Sequence, residues 1–274
     1  MDKRGQVTLF IIIAIVIIAV VVLGLIFWPT ISTLFMSQQQ TESFLASQAE
    51  SLRDAVYDCV LATSYPAFER IGLQAGYYDT TGLERLDFAG NSYIVVMYKD
   101  AAKQRINKLP SETQIEEQFS LFLEREGYAE IDSCLNNFAS FKRNMNVEPG
   151  ERKMTATINP DSIMINVDWP IKISKQTARA EAEQTINQIP ATLTVPLGNL
   201  WYTANRIVDC ETQVDCNYEG LKWDEETWND PYTLQYISRD ARSINKDQIV
   251  FILESVPHRI GEFPYKFNFA VDRT

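Results

Sequence analysis

The chain has 274 residues, of which 46% are hydrophobic and 22% charged, with 11 Gly and 11 Pro. That composition excludes a disordered chain and is enough for one large domain or two small ones. The formal net charge is −11, which excludes the clustered Lys and Arg that nucleic acid requires and argues against broad docking on anionic lipid.

The predicted elements begin with a short basic stretch, residues 1–6, placed in the cytoplasm. Residues 7–28, VTLFIIIAIVIIAVVVLGLIFW, carry no charge. As a helix they span roughly 33 Å at ~1.5 Å per residue, which matches a hydrocarbon core of ~30 Å. In lipid the backbone must satisfy its own hydrogen bonds, so the β-branched run is expected to be a transmembrane helix. Lys3 and Arg4 precede it and no charge follows until Glu42. The positive-inside rule therefore puts residue 1 in the cytoplasm and the rest outside the cell, with the lipid bilayer as partner of residues 7–28. The run exceeds the apolar core of a cleaved secretory signal, and no A-x-A site follows it.

Residues 29–66 read as a stalk helix, perturbed at Pro29. Phe44, Leu45, Ala49, Leu52, Val56, Cys59 and Val60 recur at spacings of three and four and form one apolar face. The helix is expected to end near Pro66 or shortly after. Residues 67–149 form a helical α+β part. IGLQAGYYDTTGL reads as a loop and NSYIVVMYK (91–99) as a strand. Ser111 with Gln114 makes a capping box that opens a helix, and another helix lies around Cys134.

Residues 150–274 read as an antiparallel β-rich part. Asn159-Pro160-Asp161 is a turn between two strands. Ile163, Ile165, Val167 and Trp169 alternate strictly, with Pro170 marking a bulge or an edge. A strand around ATLTVPL, a helix near 197–209, and strands at DQIVFILES and YKFNFAVD complete an α+β fold.

Four cysteines, Cys59, Cys134, Cys210 and Cys216, allow three pairings. Cys210 and Cys216 can close a short loop, which leaves Cys59 for Cys134. Zinc and ordinary buried free cysteines are the competing readings, but for zinc there is no C-x-x-C and His258 is the single histidine. No nucleophile elbow, zinc-protease, P-loop or dinucleotide motif occurs, so no catalytic residue, cofactor or metal is expected. In KWDEETWNDPY (222–232), Trp223 and Trp228 could form a partner patch. The carboxylates Asp224, Glu225, Glu226 and Asp230 could serve a hydrolase, although a solvated loop is the plainer reading.

Lys3-Arg4-Gly5-Gln6 followed by the apolar run resembles the class III signal peptide of archaeal type IV pilins. The resemblance implies processing between Gly5 and Gln6. The fifth mature position would then be Phe10, where many pilins carry Glu. The K-R-G-Q-V-T-L-F-I-I-I start, IGLQAGYY (71–78), Cys134-Leu135 and VPLGNLWYTANRIV (195–208) are also similar to an uncharacterised family of anchored proteins from small-genome archaea. The expected function is a non-enzymatic, membrane-anchored surface or interaction protein, pilin-like or adhesin-like, that self-associates or binds other envelope proteins. The alternatives are a subunit of a cell-envelope complex and an anchored hydrolase using Asp/Glu pairs.

Overall fold

The computed structural model describes residues 16–18, 21–22, 37–100, 102–213, 247–260 and 263–274. The elements are α1 (Gln38–Leu73), β1 (Arg85–Phe88), β2 (Asn91–Lys99), β3 (Arg105–Asn107) and α2 (Glu112–Phe122), the last running into a π-helical turn (Leu123–Gly127). They continue with α3 (Tyr128–Cys134), α4 (Ala139–Lys142), β4 (Asn146–Pro149), β5 (Lys153–Ile158), β6 (Ile163–Gln176), β7 (Glu181–Leu193), α5 (Leu197–Thr212), β8 (Gln248–Ile260) and β9 (Phe263–Asp272). The fold is mixed α+β, as the hydrophobic patterning anticipates. Residues 7–28 lie mostly outside the described set. Val16, Ile17, Ile18, Val21 and Val22 are helical with exposed side chains. Among the described residues no helix is long and apolar enough to cross a membrane.

The chain divides into two compact units that interleave in sequence. The smaller comprises residues 1–52, 138–150 and 171–186. Leu45, Ala49 and Leu52 of α1 are buried, at the spacings the sequence shows. β4 pairs antiparallel with β6 from Asn146↔Ser174 to Pro149↔Ile171. Lys175 lies over the Phe44 ring at 4.4 Å and donates to the Asn144 carbonyl at 2.7 Å. Burial lowers the pKa of its amine.

The larger unit comprises residues 53–137, 151–170 and 187–274. Its main sheet has the order β1-β2-β9-β8, with β3 also on β2. β2 lies parallel to β9 and every other pairing in this sheet is antiparallel. The expected antiparallel sheet is therefore a mixed one, because β2 comes from the more helical half of the sequence and inserts beside the C-terminal hairpin. Tyr93 through Met97 are buried on both faces of β2, as suits an interior strand. On one face the Tyr265 hydroxyl donates to the Phe68 carbonyl of α1 at 2.9 Å. Gly72 permits that approach, since a Cβ there would stand 2.4 Å from the Lys266 carbonyl oxygen.

β5 and β6 pair from Lys153↔Asp168 to Ile158↔Ile163. Ile163, Ile165, Val167 and Trp169 are buried, and the intervening residues are exposed. Between the β4 and β5 registers, residues 150–152 face only 169–170, so β6 carries one residue fewer there. The extra residue lies in the 150–152 link between β4 and β5, opposite Pro170, which has no N–H to give to a ladder. Ser111 caps α2 with both capping-box hydrogen bonds in place, and Phe68 stacks on Phe119 at 4.5 Å.

Three expectations need correction. α1 runs through Pro66 to Leu73, because the buried residues Ala67, Phe68 and Ile71 outweigh one missing hydrogen bond. IGL of the expected loop is consequently helical. The strand expected around ATLTVPL begins at Glu181 and stops at Leu193. Its burial is irregular along EAEQTINQ, so no period-2 signal reveals it.

Candidate functional site

The most organised polar cluster of the larger unit forms where α1 ends. The Gly76 N–H reaches the Ile71 carbonyl at 2.8 Å, with Ala75 at φ 56° and Gly76 at φ 93°. A Cβ at Gly76 would stand 2.7 Å from Pro110, so glycine meets two demands here, the left-handed backbone and the close approach. The next two residues are held by one side chain, for the Gln118 carbonyl accepts from the N–H groups of Tyr78 and Asp79, both at 3.0 Å.

Tyr78 is buried, edge-on to Phe122 at 5.6 Å. The Arg70 guanidinium covers its ring at 4.4 Å. Burial raises the pKa of the Tyr78 hydroxyl, and its hydrogen bond with Glu126 raises it further. The π turn presents Arg125 and Glu126 to this loop. Arg125 pairs with Asp79 at 2.7 Å, and Arg70 lies 3.9 Å from Glu126. Gly127 closes the turn, where a Cβ would meet Phe122 at 2.8 Å. Hydrogen bonds from Thr81, then the Arg125 contact, hold the Asp79 carboxyl at about 2.

Arg152, in the link between β4 and β5, forms a second cluster. Its guanidinium makes a bidentate pair with Asp132, at 2.6 and 2.8 Å, and donates to the Tyr128 carbonyl at 3.0 Å. It also lies over the rings of Tyr128 at 4.5 Å and Trp169 at 4.9 Å. A third cluster closes α5. Glu211 is fully buried, and Arg273 donates to both its carboxylate oxygens, at 2.6 and 2.5 Å. Arg105 donates to the carbonyls of Glu211 and Gln213, at 2.9 and 2.6 Å, and satisfies the helix C-terminus.

The guanidinium groups of Arg70, Arg125, Arg152 and Arg273 each stand beside a carboxylate, and the Tyr78 hydroxyl is hydrogen-bonded to the Glu126 carboxylate. Among the described residues no group of His, Cys, Asp or Glu is arranged to hold a metal ion. The clusters fix backbone at the 74–83 loop, the 150–152 link and the end of α5.

Of the residues singled out in the sequence, Cys59 and Cys134 are disulfide-bonded to each other across 75 residues. Cys210 is disulfide-bonded as well. Lys3, Arg4, Gly5, Gln6, Cys216, Trp223 and Trp228 lie outside the described residues, as do Asp224, Glu225, Glu226 and Asp230. Sequence reasoning missed Arg70, Tyr78, Asp79, Gln118, Arg125, Glu126 and Arg152. The signals present were the Tyr-Tyr-Asp run beside two glycines and the Glu-Arg-Glu run at 124–126. Comparison with profiles of known families, with curated proteins and with solved structures finds no match.

Proposed function

We propose that this chain is a membrane-anchored extracytoplasmic structural or interaction protein. Its anchor is the charge-free run 7–28, its N-terminus is cytoplasmic, and its disulfide-bonded α+β domain stands outside the cell. The observation that carries this reading is the cystine chemistry. The described cysteines Cys59, Cys134 and Cys210 are all disulfide-bonded, a state that oxidising compartments maintain. The sequence supports the same topology, with Lys3 and Arg4 before the apolar run and an acidic domain after it. Helical Val16, Ile17, Ile18, Val21 and Val22 expose apolar side chains, which suits contact with lipid tails or with the helices of like chains.

Within this reading the chain is a pilin-like or adhesin-like subunit. Its paired charges order loops. Mass spectrometry of the membrane fraction tests it. A mature chain beginning at Gln6 supports prepilin-type processing and a filament role. An N-terminus at Met1 or Asp2 leaves a static anchor presenting the domain. Recovery of the chain in the soluble fraction, with Cys59 and Cys134 reduced in cells, overturns the anchored reading altogether.

A further inference from the structure

The net charge of −11 opposes broad docking on an anionic surface, but it is not spread evenly. The described part of the smaller unit, 37–52, 138–150 and 171–186, carries five basic and five acidic side chains, so the acidity belongs to the larger unit. The smaller unit also holds the N-terminal end of α1, the end that the apolar run leads into, and basic residues gather there. The β6–β7 hairpin turns at residues 177–180, where the Thr177 hydroxyl accepts from the N–H groups of Arg179 and Ala180 at 3.3 and 2.9 Å. Just past this turn the Glu181 carbonyl accepts from the Gln38 side chain at 3.1 Å, so the turn lies beside the first residues of α1. Just before it Lys175 lies over the Phe44 ring and donates to the Asn144 carbonyl, which brings the α4–β4 link to the same place. Lys142, Arg143 and Arg179 are exposed. Two carboxylates share this end: Glu181, and Glu42, which accepts from the Gln38 amide at 2.7 Å. Farther along the hairpin Lys172 and Glu183 offset each other at 2.8 Å.

Gln38 follows Trp28, the last residue of the apolar run, by ten residues, and 29–37 contain no charged side chain. Even a fully extended chain keeps Gln38 within about 35 Å of Trp28. We propose that this end of the smaller unit is a lipid contact: Lys142, Arg143 and Arg179 bind the phosphates of anionic headgroups around the point where the chain enters the bilayer. The proposal rests on the anchored reading above and names the partner of the domain's base. A basic side chain within a Debye length of an anionic surface, about 8 Å at physiological salt, tightens contact about fivefold. Three acting together tighten it on the order of a hundredfold, which exceeds the opposition of the two carboxylates and holds the smaller unit against the membrane.

The test is arginine modification by phenylglyoxal on the full chain in lipid nanodiscs, mapped by mass spectrometry. Phosphatidylglycerol discs are compared with phosphatidylcholine discs at low salt. Arg143 and Arg179 are expected to react at least fivefold more slowly in the anionic discs, and about 1 M sodium chloride should abolish the difference. Arg85, exposed on the larger unit, is expected to differ less than twofold. Equal rates for Arg143 and Arg179 in the two discs overturn the proposal. Equal protection of Arg85 overturns it too, because the effect would then not belong to this end of the smaller unit. Inorganic phosphate added to the phosphatidylcholine discs should protect neither arginine; protection as strong as that from anionic lipid makes the site one for free phosphate and overturns the bilayer as its partner. Insertion is read separately by co-elution: a chain that does not elute with the discs overturns the anchored reading, and the proposal with it.

Discussion

Gly72 gives the sharpest test of how the larger unit packs. It lies in the last turn of α1, and on helix propensity alone Gly72→Ala should stabilise by up to ~1 kcal/mol. The structure predicts the opposite sign. The new methyl would stand 2.4 Å from the Lys266 carbonyl oxygen, 2.9 Å from the Tyr265 hydroxyl and 3.2 Å from Tyr265 Cζ. The first obstacle is strand backbone, which cannot swing aside as a long side chain can. Ordinary van der Waals contact requires the helix to retreat from β9 by about 1 Å. That retreat stretches the 2.9 Å bond from Tyr265 to the Phe68 carbonyl within a buried contact. Overpacking costs about 1–3 kcal/mol, and a buried polar group left without its partner costs about 1–3 kcal/mol. After the helix propensity gain is offset, the expected loss is about 3 kcal/mol. For a chain of this size that is a fall of roughly 6–12 °C in Tm. Thermal melts of the purified full-length chain, followed by circular dichroism, read it directly. Tyr265→Phe in the Gly72→Ala background should cost little more, since the hydroxyl bond is already strained there. A Tm for Gly72→Ala equal to or above that of the parent chain would refute the close approach.

Three further predictions concern the charged clusters. Arg273→Met strands the buried Glu211 carboxylate and is expected to cost about 3 kcal/mol, whereas Glu211→Met/Arg273→Met should recover most of that loss in urea unfolding. Arg152→Lys keeps the charge but loses the bidentate fork to Asp132 and the stacking on Tyr128 and Trp169; a loss of about 2 kcal/mol is expected by the same measurement. Asp79 has a folded pKa of about 2 against an ordinary 3.8, so its contribution is complete above the ordinary value and lost as pH falls through the folded one. Asp79→Asn should therefore lower Tm at pH 7, and the gap to the parent chain should close between pH 4 and pH 2; a gap that persists at pH 2 would count against the Thr81 and Arg125 contacts as its cause.

The elements legible in the sequence are those whose cause is local. Ser111 and Gln114 announced α2, because a capping box is satisfied within one helical turn. The strand NSYIVVMYK appears with the same ends as β2. Ile163, Ile165, Val167 and Trp169 announced the buried face of β6, because alternation acts along a single strand. The even cysteine count pointed to disulfides and ranked Cys59 with Cys134 by elimination.

Only the tertiary structure decided the rest. Pro66 reads as a helix end, but the burial of Ile71 and of Phe68, whose ring stacks on Phe119, carries α1 past it. β2 and β9 lie far apart in sequence, and nothing local states that they run side by side and parallel. The Arg152 cluster draws its groups from α3, the link between β4 and β5, and β6. Propensity, capping and periodicity act over a few residues. Strand neighbours, charge partners and backbone hand at strained positions depend on what folding brings within a few ångströms, and that is settled by the packing of the whole unit.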